Sequence, residues 1–260
     1  MKKFLLLLLM VTTLAVYSQT PAPTNDLSTV NTVKPKLGQK MAFEAAYKLH
    51  VAKFHKGDDK IRTYEILSGE YVGYYHLVDA EKSFADFDKV NPDAAAHSLD
   101  LDKNFFPLLA DTRNGTYRFI DSLSIRPEVE AESFTVNVNH LKQTLNQADY
   151  RREQARGIKI NKNSTAPFFV NLSISYWEQL WDGSDQVTVS IRNLKDGFKS
   201  LQAGYFGTPA PPPPGTPSFR DNYIKEYGYT AWDDRVKLLE GAVEKNEQYI
   251  MRLRKDLSSQ

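Results

Sequence analysis

The order of predicted elements is the same in the two halves of this chain, and no other sequence feature constrains its fold as strongly. Residues 28–127 and residues 132–258 each read as strand, helix, strand, strand, helix, strand. The ends of the two halves also match, because residues 108–124 resemble residues 238–258 once two insertions are allowed. The sequence therefore predicts an α+β protein built from two β-α-β-β-α-β units.

Side-chain periodicity supports this order in the first half. Phe43, Tyr47 and Val51 recur at four-residue intervals, as on the buried face of a helix that lies on a sheet. The predicted segments of this half are a strand at 28–33, a helix at 38–55, strands at 60–67 and 71–78, helical stretches through Phe84 and Phe87 and over 92–109, and a strand at 116–124.

The second half has the same pattern with weaker helices. Val187, Val189 and Ile191 alternate with polar residues, which indicates a strand with one buried face. Asp182-Gly183 favours a tight hairpin turn, and the proline-rich run 207–217 predicts a stiff loop. The predicted segments are strands at 134–138, 168–176 and 186–192, helices at 141–155, 194–201 and 230–244, and a final strand.

Two such units in one chain resemble the dimeric α+β barrel superfamily, in which two ferredoxin-like sheets pack face to face. The resemblance covers about residues 28–258 and rests on the order of elements. It implies two ferredoxin-like β-α-β-β-α-β repeats packed as a pseudo-dimeric α+β barrel. Members of the superfamily include antibiotic-biosynthesis-type monooxygenases, haem-degrading oxygenases, chlorite-dismutase-like haem proteins and stress-responsive domains, so the fold does not choose an activity.

The first eighteen residues predict export. Lys2 and Lys3 precede an apolar run over residues 4–16, and Val16 and Ser18 have the small-residue spacing of a signal-peptidase site. Residues 1–18 are therefore predicted to be a cleaved bacterial signal peptide, and residues 19–27 a polar linker. The mature protein is expected in the periplasm or secreted, without a stable membrane anchor.

Composition excludes several classes of function. The chain has no cysteine, so it has no disulfide and no thiol nucleophile or thiolate metal ligand. Its 33 Lys and Arg residues balance 32 Asp and Glu residues. Because a nucleic-acid binder would carry a basic excess, nucleic acid is not expected as a partner. We expect the protein to be a monomer or a weak homodimer and to bind a small molecule.

No segment carries a reaction motif, so aromatic clustering is the main pointer to function. Tyrosine and tryptophan crowd the predicted hairpins of both halves, and such side chains suit a cavity for an apolar or aromatic ligand. The same residues also suit a core or a sheet interface. The candidate ligand-binding residues are Tyr47, His50, Tyr64, Tyr74, His76, Tyr176 and Trp177.

Two other functions remain open. One is a periplasmic enzyme of the monooxygenase or haem-oxygenase type, with His76 and Tyr74 as participants, since His76 is predicted to share a strand face with Val72 and Tyr74. The other is a non-catalytic scaffold that uses the proline-rich loop. Whether the protein is an enzyme is left undecided.

The histidines predict neither a metal site nor a cofactor site. His50 and His55 lie five residues apart on one predicted helix, which directs them to different faces, so no metal site is predicted. His97 and His140 are expected at the surface or at caps. The resemblance to haem-using proteins makes His97 the nearest candidate for a haem ligand, but no motif supports it, and no cofactor is predicted.

Overall fold

The computed structural model describes residues 25–57, 59–125, 131–163, 174–180, 186–194, 196–202 and 215–259. The predicted leader, the Asp182-Gly183 turn and most of the proline-rich loop lie outside these residues. Among the helices of the described part, none is both long and apolar enough to span a bilayer.

The strands and helices follow the predicted order, with one additional helix in the second half. The strands are β1 (Leu27–Pro35), β2 (Ile61–Ile66), β3 (Tyr75–Lys82), β4 (Leu109–Phe119), β5 (Ser133–Leu141), β6 (Ile174–Leu180), β7 (Gln186–Asn193) and β8 (Val243–Leu253). The α-helices are α1 (Lys40–Phe54), α2 (Ala94–Asp100), α3 (Gln147–Lys162), α4 (Lys199–Gln202), α5 (Phe219–Tyr227) and α6 (Tyr229–Ala242). Short 3₁₀-helical turns occupy Phe84–Asp88, Phe106–Leu108, Asp121–Leu123 and Lys255–Leu257, and a π-helical turn occupies Leu101–Phe105.

The strands form one closed antiparallel barrel in the order β1-β3-β2-β8-β5-β7-β6-β4. Within each half the spatial order is fourth, first, third and second strand, which is the ferredoxin-like arrangement. The halves are joined edge to edge, because β2 pairs with β8 and β4 pairs with β6. The predicted pseudo-dimeric α+β barrel is confirmed, and hydrogen bonds between the edges unite its two sheets.

Three apolar clusters hold the layers together. One fills the barrel interior and includes Ile66, Val136 and Tyr249. A second packs α1 against the outside of the first sheet. The third joins Tyr150 of α3 to Tyr176 of β6 on the outside of the second sheet. Each sheet therefore has a buried inner face and a face covered by helices.

Two predicted strand boundaries in the first half were wrong. β3 begins at Tyr75 instead of Tyr71, because Gly69 and Gly73 adopt positive φ angles of 81° and 82° and extend the preceding turn. Val72 is therefore exposed in this turn and does not share a strand face with His76. The strand predicted from residue 116 begins at Leu109, where the chain leaves the turn at Phe106–Leu108.

In the second half, local capping signals set boundaries that periodicity missed. α3 begins at Gln147 instead of residue 141, because the Asn146 side chain accepts hydrogen bonds from two backbone amides of the first turn. α5 was not predicted at all. It begins after Ser218, whose side chain forms a capping box with Asp221.

Candidate metal centre

The buried stripe of α1 positions the first histidine of this site. Phe43, Tyr47, His50 and Val51 share the face that packs against the first sheet. His50 stands near the end of this stripe and is only 3% exposed. A histidine on such a face needs polar partners, since an unpaired buried nitrogen is costly.

His55 joins His50 because α1 ends at Phe54. His55 has φ −105° and ψ 81°, outside the helical region, and Gly57 follows with φ 63°. The expectation that His50 and His55 point to different faces was therefore wrong, since it extended the helix through residue 55. The chain turns at this point, and the His55 ring lies beside the His50 ring with their centroids 5.2 Å apart.

His97 comes from the connection between β3 and β4. It lies on α2, which continues into a π-helical turn at Leu101–Phe105, a distortion often found at functional sites. Phe105 of that turn packs against Phe43 and Tyr47, which fixes α2 beside α1. The His97 ring is 4.7 Å from the His50 ring, measured between centroids.

The Nε2 atoms of the three histidines form a nearly equilateral triangle. Their separations are 3.2 Å for His50 and His97, 3.3 Å for His50 and His55, and 3.4 Å for His55 and His97. Tetrahedral coordination with Zn–N bonds of about 2.0–2.1 Å places two ligand nitrogens about 3.3–3.4 Å apart. The triangle therefore has the dimensions of a three-histidine zinc site.

Groups behind the rings fix two of the imidazoles. The Nδ1 atom of His50 lies 2.7 Å from Oδ2 of Asp100, and Asn104 donates to Oδ1 of the same carboxylate at 3.0 Å. The Nδ1 atom of His55 lies 3.2 Å from the backbone carbonyl oxygen of Asp59. Histidine ligands of metals almost always have such a partner on the second ring nitrogen.

The surroundings disfavour protonation of His55 and His97. Burial, followed by the neighbouring His50 and His97 rings, lowers the pKa of His55 to about 4. Burial and the His50 ring also lower the pKa of His97. The hydrogen bond with His50 lowers the pKa of the Asp100 carboxyl. The Asp100 carboxylate and the free ring nitrogens of His55 and His97 that a metal site requires are thus favoured.

Haem does not fit at His97. The His50 and His55 rings approach His97 Nε2 within 3.2 and 3.4 Å. These rings occupy the space in front of the nitrogen, where a porphyrin-bound iron and its macrocycle would have to lie. The candidate haem ligand implied by the resemblance belongs instead to the histidine cluster.

The other predicted ligand-binding residues divide between the barrel interior and the outer faces of the two sheets. Only His50 belongs to the histidine cluster. Tyr47 extends from α1 to the outer face of the first sheet, with its hydroxyl near Thr63. Tyr176 packs outside the second sheet, whereas Tyr64, Tyr74 and Trp177 belong to the apolar cluster of the barrel interior.

Tyr74 and His76 both lie at the barrel interior but hydrogen-bond to different partners. Tyr74 lies in the turn before β3, and its hydroxyl donates a 3.1 Å hydrogen bond to the Asp111 carboxylate. His76 points into the barrel, with Thr32 Oγ1 2.8 Å from Nδ1 and the Tyr249 hydroxyl 2.9 Å from Nε2. Burial lowers the pKa of His76 to about 4.

His140 does not belong to a histidine cluster. It lies within β5, not past the end of a strand as expected, and its Nε2 is 3.2 Å from Glu247. The structure therefore separates the five histidines into the three-histidine cluster and two independent positions, His76 and His140.

Comparisons with known proteins support the fold. No protein-family model matches the chain, and no curated protein matches it. An anthrone oxidase-like protein aligns with a TM-score of 0.53 at 11% identity, over 88% of this chain and 92% of that one. A mutant chlorite dismutase from Candidatus Nitrospira defluvii aligns with a TM-score of 0.51 at 8% identity, over 90% and 93% of the two chains. At these identities the similarity shows the dimeric α+β barrel fold alone.

Proposed function

We propose that this protein is an exported metal-binding protein that holds one zinc ion on His50, His55 and His97. The observation that carries this proposal is the convergence of three Nε2 atoms within 3.2–3.4 Å of one another. Neutral imidazole is a common ligand for zinc, and three histidines leave the fourth tetrahedral position open.

Hydrogen bonding alone accounts poorly for this convergence. Because the Asp59 carbonyl can only accept, the Nδ1 atom of His55 must carry the hydrogen, and neutral His55 then has a lone pair on Nε2. The Asp100 carboxylate selects the same tautomer for neutral His50. When both rings are neutral, two lone pairs therefore face each other across 3.3 Å. A proton on His97 serves one contact of the triangle, whereas a metal ion serves all three.

The backbone also favours a cation here. His50 and His55 lie in the last turn of α1 and just beyond its end, where the partial negative charge of the helix dipole stabilises positive charge. The Asp100 carboxylate adds a full negative charge behind His50. Zinc would thus be held by neutral nitrogen ligands with compensating negative charge behind them.

Calorimetric titration of the metal-free protein with Zn²⁺ tests the proposal. We expect one ion per chain, and at least a 100-fold loss of affinity in His97→Ala and in His55→Ala, whose side chains are half-buried. His140→Ala is the matched control, because it removes an imidazole that contacts Glu247 and lies outside the cluster. Its zinc affinity should equal that of the unmodified protein.

The assignment would be overturned if the folded protein bound no stoichiometric zinc. It would also be overturned if the His97 and His55 variants bound zinc as tightly as the His140 variant. Circular dichroism of each variant establishes that it is folded, so loss of affinity can be separated from loss of structure.

The export part of the proposal is supported by the cationic start and apolar run of residues 1–18. Mass spectrometry of the protein recovered from a periplasmic fraction tests it. A mature chain that begins at Gln19 is expected. Recovery of the intact precursor from the cytoplasm alone would contradict export.

A second candidate function is ligand binding inside the barrel, favoured by one observation. The indole nitrogen of Trp177 is buried and has no hydrogen-bond partner among the described residues, while its ring packs 5.1 Å from Phe119. An aromatic molecule with an acceptor group would satisfy this donor. Native mass spectrometry should then detect a small molecule that Trp177→Phe fails to retain, and detection of only the ligand-free chain for both proteins would exclude it.

A further inference from the structure

Helix α1 is apolar on the face turned away from the barrel as well as on the face that packs against it. At 3.6 residues per turn, the side chains opposite the buried stripe are Met41, Ala42, Ala45, Leu49 and Ala52. All five are exposed, with Met41 at 84% and Leu49 at 74%. A surface helix normally carries charged or polar residues on this face. Packing among the described residues therefore does not explain this outer stripe.

Three lysines border the outer stripe. Lys48 and Lys53 lie on its two sides, and Lys56 follows the end of α1. All three are exposed, and none of them forms an ion pair with an acid among the described residues. The long apolar stems of such lysines can lie along the stripe while their ammonium groups reach outward.

The acids around this face are held by other partners. Glu44 is the only acid of α1, and its carboxylate accepts from Arg254 at 2.7 Å. Arg254 also holds the Asp256 carboxylate, which lies within the electrostatic range of Lys48, at 2.8 Å. Asp100, which interacts with Lys53 in the same way, is bound to His50. The lysines therefore give this surface a positive charge.

We infer that the outer stripe docks the folded protein on a membrane surface that contains anionic lipid. Helices that lie in the membrane interface combine an apolar face, which enters the boundary between headgroups and acyl chains, with lysines that meet the anionic headgroups. The stripe spans about 17 Å along one helix, so its side chains can contact a flat surface together. The contact is reversible and depends on salt, because charge supplies part of it.

A second copy of this chain fits the same face less well. Two outer stripes packed against each other would bring the lysines of both copies into one interface, with no free acid opposite them. The inference also needs no metal, since His50 lies on the buried face of α1. It is therefore independent of the proposed zinc site.

Vesicle flotation tests the inference with the mature protein, from which residues 1–18 are absent because an apolar leader would itself bind lipid. A chelator is present throughout, so zinc has no part in the result. We expect binding to phosphatidylcholine vesicles with about 30% phosphatidylglycerol, and at least 10-fold weaker binding to phosphatidylcholine alone. An increase in NaCl from about 0.1 M to about 1 M should also weaken binding at least 10-fold, because it shortens the Debye length from about 10 Å to about 3 Å.

One pair of variants tests the apolar part of the face. Met41→Gln with Leu49→Gln should weaken binding to the anionic vesicles at least 10-fold, because less apolar surface can enter the membrane. Val72→Gln with Val90→Gln is the matched control, since it changes two exposed apolar residues outside α1. The control should bind like the unmodified protein, and circular dichroism establishes that each variant is folded.

A second pair tests the charge. Lys48→Glu with Lys53→Glu should weaken binding at least 10-fold, because each lysine near an anionic surface contributes to the attraction. Lys225→Glu with Lys237→Glu makes the same change in net charge on two exposed lysines of the second half and should have a smaller effect.

Four results would overturn the inference. They are no binding to the anionic vesicles, equal binding to both kinds of vesicle, equal effects of either double variant and its control, and a dimer that forms without lipid binding and that Met41→Gln with Leu49→Gln abolishes in analytical ultracentrifugation. The last result would assign the outer stripe to a second copy of this chain.

Discussion

The Nδ1 atom of His50 and the Oδ2 atom of Asp100 lie 2.7 Å apart, although the two residues are fifty positions apart in sequence. This bond ties the end of α2 to the buried face of α1. Because Asn104 holds the other carboxylate oxygen, the orientation of the His50 ring is determined from behind. The geometry of the candidate metal centre therefore depends on a residue that is not itself a ligand.

Asp100→Asn should weaken zinc binding about 10-fold to 100-fold, because it removes the charge that orients His50 and raises its basicity as a ligand. Calorimetric titration or competition with a chelator measures the change. The matched control is Asp102→Asn, an exposed carboxylate two residues further along the chain. If both variants bound zinc like the unmodified protein, Asp100 would have no role in positioning His50.

Zinc should raise the melting temperature of the metal-free protein. An ion that binds only the folded state stabilises it by about 2.7 kcal/mol at a free concentration 100 times Kd. For a chain of this size the corresponding increase is about 5–10 °C. Differential scanning calorimetry with buffered zinc measures it, and His97→Ala should show no comparable increase. An equal increase in that variant would indicate binding elsewhere.

The two-unit fold could be predicted because its signals are local. Alternation in β5 and β7 and the four-residue spacing of α1 each lie within one short window of sequence. Closure of the barrel depends on pairings such as Tyr64 with Leu253 and Phe119 with Trp177, which join distant segments. No pattern within a single strand specifies those partners, so the joined edges appear only in the structure.

The histidine cluster was missed for a similar reason. The spacing of His50 and His55 argues against a shared face only while the helix continues, and Gly57 is the signal that it ends. With the helix ended at Phe54, the two rings could have been placed together from sequence. The contribution of His97 could not have been predicted from sequence, because it depends on how α2 and the π-helical turn pack against α1.

Strand alternation separated Tyr176 from the aromatic candidates that lie together in the barrel interior. Tyr176 and Trp177 are adjacent in β6, so one faces the helices and the other faces the barrel interior. Tyr74 falls outside β3, whereas His76 lies within it. Aromatic composition could therefore predict buried layers in both halves, but only the strand register decides which side chains share a cavity.

His76 should make the protein less stable as the pH falls from about 6.5 to about 4. The unfolded chain protonates His76 near pH 6.5, but burial lowers the pKa of the folded state to about 4. Between these values only the unfolded state binds the proton, which lowers the free energy of unfolding by up to about 3 kcal/mol. Urea titrations at several pH values measure this slope.

His76→Gln removes the titrating group and should reduce that slope. Both proteins are compared with a chelator present, so the three-histidine cluster is metal-free in each and contributes equally. Identical slopes for the two proteins would show that His76 is not protected from protonation by burial between Thr32 and Tyr249.

Tyr223→Phe should lower the free energy of unfolding by about 1.5–3 kcal/mol, since hydrogen bonds to charged groups contribute this much. Tyr223 is fully buried and donates to the Glu153 carboxylate, which also accepts from Arg156 at 2.7 Å. Loss of the hydroxyl would leave a buried charge with one partner fewer.

Tyr229→Phe is the control, because Tyr229 is 58% exposed and its contact with Arg220 is open to water. The free energy of unfolding should fall by less than about 0.5 kcal/mol in this variant. Equal costs in urea denaturation would mean that the Glu153 contact does not stabilise the layer formed by α3 and α5.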